Sequence, residues 1–246
     1  MDSITKQDLI SEFQKIGVTP GMELEVHSSL RSFGYVEGGA KTVIEALQET
    51  VGCDGSLFMP SLRLSPQLPL SSIDKKMGIT CKIRILNPEE EHSAMGIIAD
   101  TFRQMPDVLT SEGIFRVSAW GKNADKVSSG FQYLLDQGGK ALLLGVDIYK
   151  LTAMHYVENL LPQKICDIFK PSEEVNTIYP PEQWLIETGT PPVKPWYTIQ
   201  NMALQKGYIK EGLIGSSNYM FFDLWDVVGL YQNELINNPF KLYGLE

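Results

Sequence analysis

The sequence predicts a layered α/β fold built on a central, largely parallel or mixed sheet. Short strand-like runs alternate with segments whose apolar residues recur at helical spacing through most of the chain. The run Ala141-Leu142-Leu143-Leu144-Gly145-Val146 is continuously apolar, as in a strand buried on both faces. The 246 residues are 43% hydrophobic and 21% charged, enough to bury a sizeable core in one domain spanning residues 1–246.

Taken in order, residues 2–16 read as an amphipathic helix with Leu9, Ile10, Phe13 and Ile16 on one face and Ser3 or Thr5 as cap. Gly17 and Pro20-Gly21 end it, and Leu24–His27 alternates as a short strand. A Ser/Gly-rich loop, residues 28–39, leads into a helix at 40–51 and a buried strand at Leu57–Pro60. Residues 61–92 read as irregular and polar, either a lid over a site or an exposed excursion. Then come a helix at 93–105, a strand at Val117–Trp120, a helical stretch at 123–137, the 141–146 strand and a helix at 152–161. After a Pro-rich segment at 171–196, the pattern predicts a helix at 197–206, a strand and turn at 212–217, and a closing helix at 222–235. Tyr219, Phe221, Phe222, Trp225, Leu230 and Tyr231 could pair subunits in an oligomer; core packing is the preferred use.

Composition excludes several classes. The formal net charge of −9, with no Lys/Arg cluster, argues against nucleic acid as a partner; it reads first as plain solubility and otherwise as attraction for a cationic small molecule. No apolar run approaches the roughly 20 residues needed to cross a membrane, and the N-terminus lacks a signal-peptide pattern, so a cytoplasmic location is expected. Cys53, Cys81 and Cys166 form no C-x-x-C or disulfide framework, and three scattered histidines give no metal spacing; no metal is expected.

In α/β sheets, ligands sit beyond the carboxyl ends of the strands. Two segments fall there. In DIYKLTAMHYVE, His155 and Glu158 are three residues apart and share a helix face, either as an ordinary solvated pair or as a general base whose tautomer the carboxylate fixes. In the other, Ser28-Ser29-Leu30-Arg31-Ser32-Phe33-Gly34 runs to a helix start near Ala40, either a plain strand–loop–helix turn or an anion site for cofactor phosphates. No nucleophile elbow is present, and no cysteine has a histidine nearby in sequence.

An ordered set of segments completes the reading. Val26–Leu30 with Gly34–Ala40, Gly55–Pro60, Ser93–Gly96, Ala119–Gly121, Leu142–Val146, His155–Glu158 and Ile214-Gly215 together resemble the aminoglycoside 3-N-acetyltransferase family over most of residues 8–220. That resemblance implies a three-layer α/β/α fold with a central mixed sheet and N-acetyl transfer from acetyl-CoA, used as co-substrate, to an aminoglycoside amine. It also implies that His155 activates the amine while Glu158 orients His155. The loop His27, Ser28, Ser29, Leu30, Arg31, Ser32 and Gly34 would line the CoA site, and the strand Val117, Ser118, Ala119 and Trp120 would flank the pantetheine arm. The chain departs from the family pattern at Thr110–Arg116, where two histidines are missing, at Asn87-Pro88, at a skipped insert near Ser128–Phe131, and in a short C-terminal part. These departures fall on acceptor and cofactor contacts. They keep open an amino sugar or small biosynthetic amine as acceptor, and a non-catalytic binding protein on this scaffold.

Overall fold

The structure, a computed structural model, describes residues 3–246. Its elements in chain order are α1 (Lys6–Ile16), β1 (Glu23–Ser28), α2 (Gly39–Val51), β2 (Ser56–Pro60), α3 (Ser72–Lys76), β3 (Ile79–Arg84), α4 (Ile97–Arg103), β4 (Leu109–Thr110), β5 (Val117–Gly121), α5 (Gln132–Gln137), β6 (Lys140–Leu144), α6 (Gln163–Phe169), α7 (Glu173–Ile178), β7 (Trp184–Thr188), α8 (Pro195–Gln205), β8 (Lys210–Ile214), β9 (Ser217–Asp223), α9 (Leu224–Asn237) and α10 (Pro239–Leu242). Four 3-10 stretches interleave with them, of which Thr152–Leu160 is the longest.

Seven strands form one mixed sheet in the order β4-β5-β2-β1-β6-β9-β8. β1 lies at its centre, parallel to both β2 and β6; every other pairing is antiparallel. Strand alternation sends side chains to two separate cores. Leu24, Val26, Leu57, Met59, Leu142, Leu144, Tyr219 and Phe221 pack beneath α1, α2 and α4. Phe58, Ala141, Leu143, Met220 and Phe222 pack on the opposite face beneath α5, α8, α9 and the 152–160 stretch. The result is the expected three-layer α/β/α arrangement, driven by two apolar faces that must each be covered. Among the described residues no helix is long and apolar enough to cross a membrane.

Several boundaries differ from expectation for identifiable reasons. α1 starts at Lys6 because Thr5 and Asp8 form a reciprocal capping box; residue 2 lies outside the described residues. The helix expected from Ser93 starts at Ile97, because the Asp100 carboxylate takes both the N–H and the hydroxyl of Ser93 and holds 93–96 as a turn. The 123–137 stretch splits into a 3-10 segment and α5 around Gly130, whose φ of 58° favours glycine and where a side chain would strike the Tyr156 hydroxyl. Phe222 belongs to strand β9, not to the closing helix, which begins at Leu224. Of the C-terminal aromatics, Tyr219, Phe221, Phe222 and Tyr231 are core, while Trp225 is half exposed.

The largest correction concerns residues 61–92. They contain α3 and β3, and β3 pairs antiparallel with β7 from the Pro-rich segment, with Cys81 opposite Glu187. Ile79, Val175 and Ile186 form a small core of their own. Beside it, the buried Asp74 accepts hydrogen bonds from Lys82 (2.6 Å) and the Tyr179 hydroxyl (2.5 Å). This two-stranded cap is assembled from segments about a hundred residues apart and supplies one wall of the site below.

Candidate active site

β1 and β6 run parallel and end side by side, so the loops that follow them meet. The Ser29 N–H donates to the Leu144 carbonyl at 2.8 Å, and the Ser32 hydroxyl bonds the Ser29 carbonyl (2.6 Å) and Ser217 Oγ (2.7 Å). Gly145, at φ 68°, lets Ser32 approach the end of β6; any side chain there would collide with it. Beyond these strand ends lies a cavity of about 900 Å³. Its sheet side comprises Val26–Arg31, Gly34, Tyr149, Lys150, Thr152 and His155; its cap side comprises Cys81, Ile83, Leu185 and Glu187.

His155 and Glu158 lie on the 3-10 stretch Thr152–Leu160, where residues three apart eclipse one another more closely than on an α-helix. Ala153, Met154 and Val157 face the core, which turns His155 and Glu158 outward. His155 Nδ1 lies 2.6 Å from Glu158 Oε2. The other carboxylate oxygen accepts from the Tyr231 hydroxyl at 3.2 Å, and Tyr231 bonds Tyr243 at 2.8 Å. The edge of the His155 ring packs against Trp196 at 4.9 Å, and Trp196 stacks on Tyr149. With Nδ1 held by the carboxylate, the ring presents Nε2 as the nitrogen available to a ligand. The His155 side chain is 61% exposed, opening into the cavity it lines.

Electrostatics favour an imidazole that can take up a proton. Burial works against the charged ring, but the Glu158 hydrogen bond and charge, with Glu187 and Glu25 behind them, prevail and raise His155 above the ordinary histidine value. Glu187, facing the same space, is itself raised, first by burial and then by Glu158, with His155 opposing. Cys81 is pushed up to about 11 by burial and by Glu187, so its thiol stays protonated at neutral pH and is a poor nucleophile. A second His–carboxylate contact lies below: Glu25 Oε1, fully buried on β1, is 2.6 Å from His27 Nε2 and accepts the Ala153 N–H at 3.2 Å.

A sequence profile of the aminoglycoside 3-N-acetyltransferase family matches residues 26–235. The chain belongs to that family. It is 29% identical, over 96% of its length and 94% of the relative, to the SPbeta prophage-derived aminoglycoside N(3')-acetyltransferase-like protein YokD of Bacillus subtilis. The fold matches that of the aminoglycoside acetyltransferase AAC(3)-IVa apoenzyme, at a TM-score of 0.71 and 23% identity, covering 99% of this chain and 92% of that one. It also matches AAC-IIIb in its binary complex with CoASH, at a TM-score of 0.68 and 19% identity, covering 95% and 97%. The chain is thus one of a family of N-acetyltransferases, and the ordered motifs that suggested this in the sequence fall on β1, β2, β5, β6 and the 152–160 stretch.

The structure brings together His155, His27, Ser28, Ser29, Leu30, Arg31 and Gly34 around that cavity, with Glu158 bonded to His155 outside its lining. Ser32 lies just behind it, bonded internally. The start of α2 does not line the cavity, because the 3-10 turn Leu30–Phe33 buries Phe33 and carries the chain away first. The β5 residues lie elsewhere. Ala119 is core, Ser118 is fully buried between Ser61 (2.6 Å) and Thr110 (2.8 Å), and Val117 lines a second concavity of about 570 Å³ with Thr110, Ser128, Gly130 and Tyr156. His92 is exposed. Sequence reasoning does not single out Glu187, Glu25, Lys150 or Tyr231. Lys150 sits in a segment already marked as ligand-facing, whereas Glu187, Glu25 and Tyr231 carry no local signal.

Proposed function

We propose that this chain transfers an acetyl group from acetyl-CoA to an amine of an aminoglycoside, with His155 as general base. The observation that carries the reading is the His155–Glu158 pair, whose free nitrogen faces a cavity with cations on one wall and a carboxylate on the other. Arg31 and Lys150, both exposed, come from adjoining loops on the sheet side and suit the phosphates of CoA; Glu187 on the cap suits an ammonium group. Bound acetyl-CoA supplies the activated acyl carbonyl. His155 Nε2 removes a proton from the acceptor amine, directly or through a water, and Glu158 steadies the imidazolium that results; as the C–N bond forms the C–S bond breaks, and the departing CoA thiolate takes the proton back from His155 to leave as the free thiol. The first amides of the Leu30–Phe33 turn are candidates to stabilise the developing oxyanion. With Cys81 protonated, no thiol competes with direct attack by the amine.

A second acceptor class has one observation in its favour. The cap wall carries a single carboxylate, Glu187, among Ile83, Leu185 and Cys81, which suits an amino sugar or small amine with one charge near the reacting nitrogen. The deciding experiment follows thiol release from acetyl-CoA with kanamycin- and gentamicin-type aminoglycosides and with simple amino sugars. His155→Ala should lower turnover by about 10²- to 10⁴-fold while CoA binding persists. A loss smaller than about tenfold overturns the general-base role; no turnover with any amine, despite CoA binding, overturns the reaction.

A further inference from the structure

Glu25 is the least expected residue near the site. It lies on β1, the central strand, at a position flanked by Leu24 and Val26, and it points into the core between β6 and the 152–160 stretch. It is 0% exposed, and it is not neutralised by a lysine or arginine. One oxygen, Oε1, serves two partners: His27 Nε2 at 2.6 Å and the Ala153 N–H at 3.2 Å. The adjacent Thr152 N–H points at His27 Nε2 at 3.3 Å. The Ala153 amide, second in the stretch that bears His155, is therefore tied to β1 through Glu25. The other oxygen, Oε2, is buried with no hydrogen-bond partner among the described residues. An apolar residue at this position would avoid that cost, so retaining a carboxylate needs a compensating role.

We propose that Glu25 is a positioning residue for His155. It pins the start of the 152–160 stretch to the sheet, and it adds a buried carboxylate to the groups around the base. The anchor works through the backbone: His155 is two residues beyond Ala153, so the bond at Ala153 fixes where the ring begins. The charge works through space: Glu25 is one of the three carboxylates that favour the protonated His155 ring, alongside Glu158 and Glu187. The carboxylates that act on His155 are Glu158 on its own stretch, Glu187 from β7 and Glu25 from β1; Tyr231 from α9 and Tyr243 after α10 act on Glu158, and Lys150 lines the same cavity. Of the three carboxylates, Glu25 alone is wholly buried, and so it is the one solvent and salt screen least.

This inference rests on His155 being the base, and two substitutions separate its two parts. Glu25→Gln keeps an acceptor for the Ala153 N–H and an amide for His27 but removes the charge. The His155 imidazole, followed by NMR across pH in the substrate-free protein, should then titrate about half a unit or more lower. That readout needs no acceptor, so it stands whether or not the proposed reaction is right. Glu25→Leu removes the anchor as well. It should lower kcat by about tenfold or more at an unchanged KM for acetyl-CoA, with Glu25→Gln recovering most of the loss. An unmoved His155 titration in Glu25→Gln overturns the electrostatic part. Equal kcat in wild type and a folded Glu25→Leu overturns the anchoring part.

Discussion

Replacing Glu158 by Gln tests the centre of the site with little change of shape. The carboxylate does two things for His155: it accepts the Nδ1 proton at 2.6 Å, fixing the tautomer that leaves Nε2 basic, and it stabilises the imidazolium. Unit charges about 4 Å apart at an effective dielectric of about 20 attract by about 4 kcal/mol. The pair is partly open to solvent, with His155 61% and Glu158 27% exposed, so about half of that, roughly 2 kcal/mol, is a fair share after screening. At 1.36 kcal/mol per decade, this is about a 30-fold loss in kcat/KM. Loss of tautomer control adds to it, because a Gln amide turned with its NH2 toward Nδ1 would leave the proton on Nε2; about 10²-fold in total is expected. The assay is thiol release from acetyl-CoA at saturating acceptor, repeated across pH. In the wild type, the base must be neutral, and its value is raised above 6.5, so kcat/KM should climb with pH through a point above 6.5. In Glu158→Gln, burial acts with less opposition, and the residual activity should climb at lower pH. A kcat/KM within fivefold of wild type, with the limb unmoved, would refute this account of the pair.

Three further outcomes follow from the same geometry. Tyr231→Phe removes the hydroxyl that holds Glu158 Oε1 and should cost about 0.5–1.5 kcal/mol in transition-state stabilisation, about 2- to 13-fold in kcat with KM for acetyl-CoA unchanged; an equal rise in that KM would count against a role confined to Glu158. Glu187→Gln should raise the acceptor KM about tenfold and flatten its dependence on ionic strength, measured by initial rates at low and high salt; a salt dependence that survives would place the recognition charge elsewhere. Asp74→Asn should loosen the cap: its carboxylate is depressed by Lys82 and Tyr179, so its contribution is fully present above the unfolded carboxylate value near 3.8 and is lost as pH falls below it. At neutral pH the substitution should therefore lower the melting temperature, by an amount that shrinks toward acid; a constant difference across pH would contradict the ionic origin.

What could be read from the sequence followed the range of the interactions. The apolar face of α1, the buried run of β6 and the strand–loop–helix unit around β1 are local patterns, and each stands close to where its residues place it, with α1 starting at Lys6 and β6 ending at Leu144. The cap could not be read this way. β3 has only partly buried residues along much of its length and gains its partner from β7, so neither segment announces a strand on its own. Its stabilising contacts, Asp74 with Tyr179 and Ile79 with Val175, join residues about a hundred positions apart. β9 was hidden for the opposite reason: it is buried on both faces, and such a run is indistinguishable by periodicity from the start of an apolar helix.

The site divides along the same line, and the division bears on the chemistry. Spacing alone paired His155 with Glu158, and the 3-10 form of 152–160 serves that pairing better than the expected α-helix, since three residues make one full turn and bring Nδ1 over the carboxylate. A long 3-10 stretch is not stable on its own merits. It is held at its start by the Ala153 amide bonded to Glu25, along its inner face by Met154 and Val157 in the core, and at Glu158 by Tyr231. Each of these supports comes from a different part of the chain, so the sequence can show the dyad without showing what keeps it in register. It follows that the substitutions most damaging to the reaction, after His155 and Glu158 themselves, should be those that release the 152–160 stretch toward an ordinary α-helix. In such a helix a residue three positions on is rotated by about 300° rather than a full turn, and His155 would lose its alignment with Glu158.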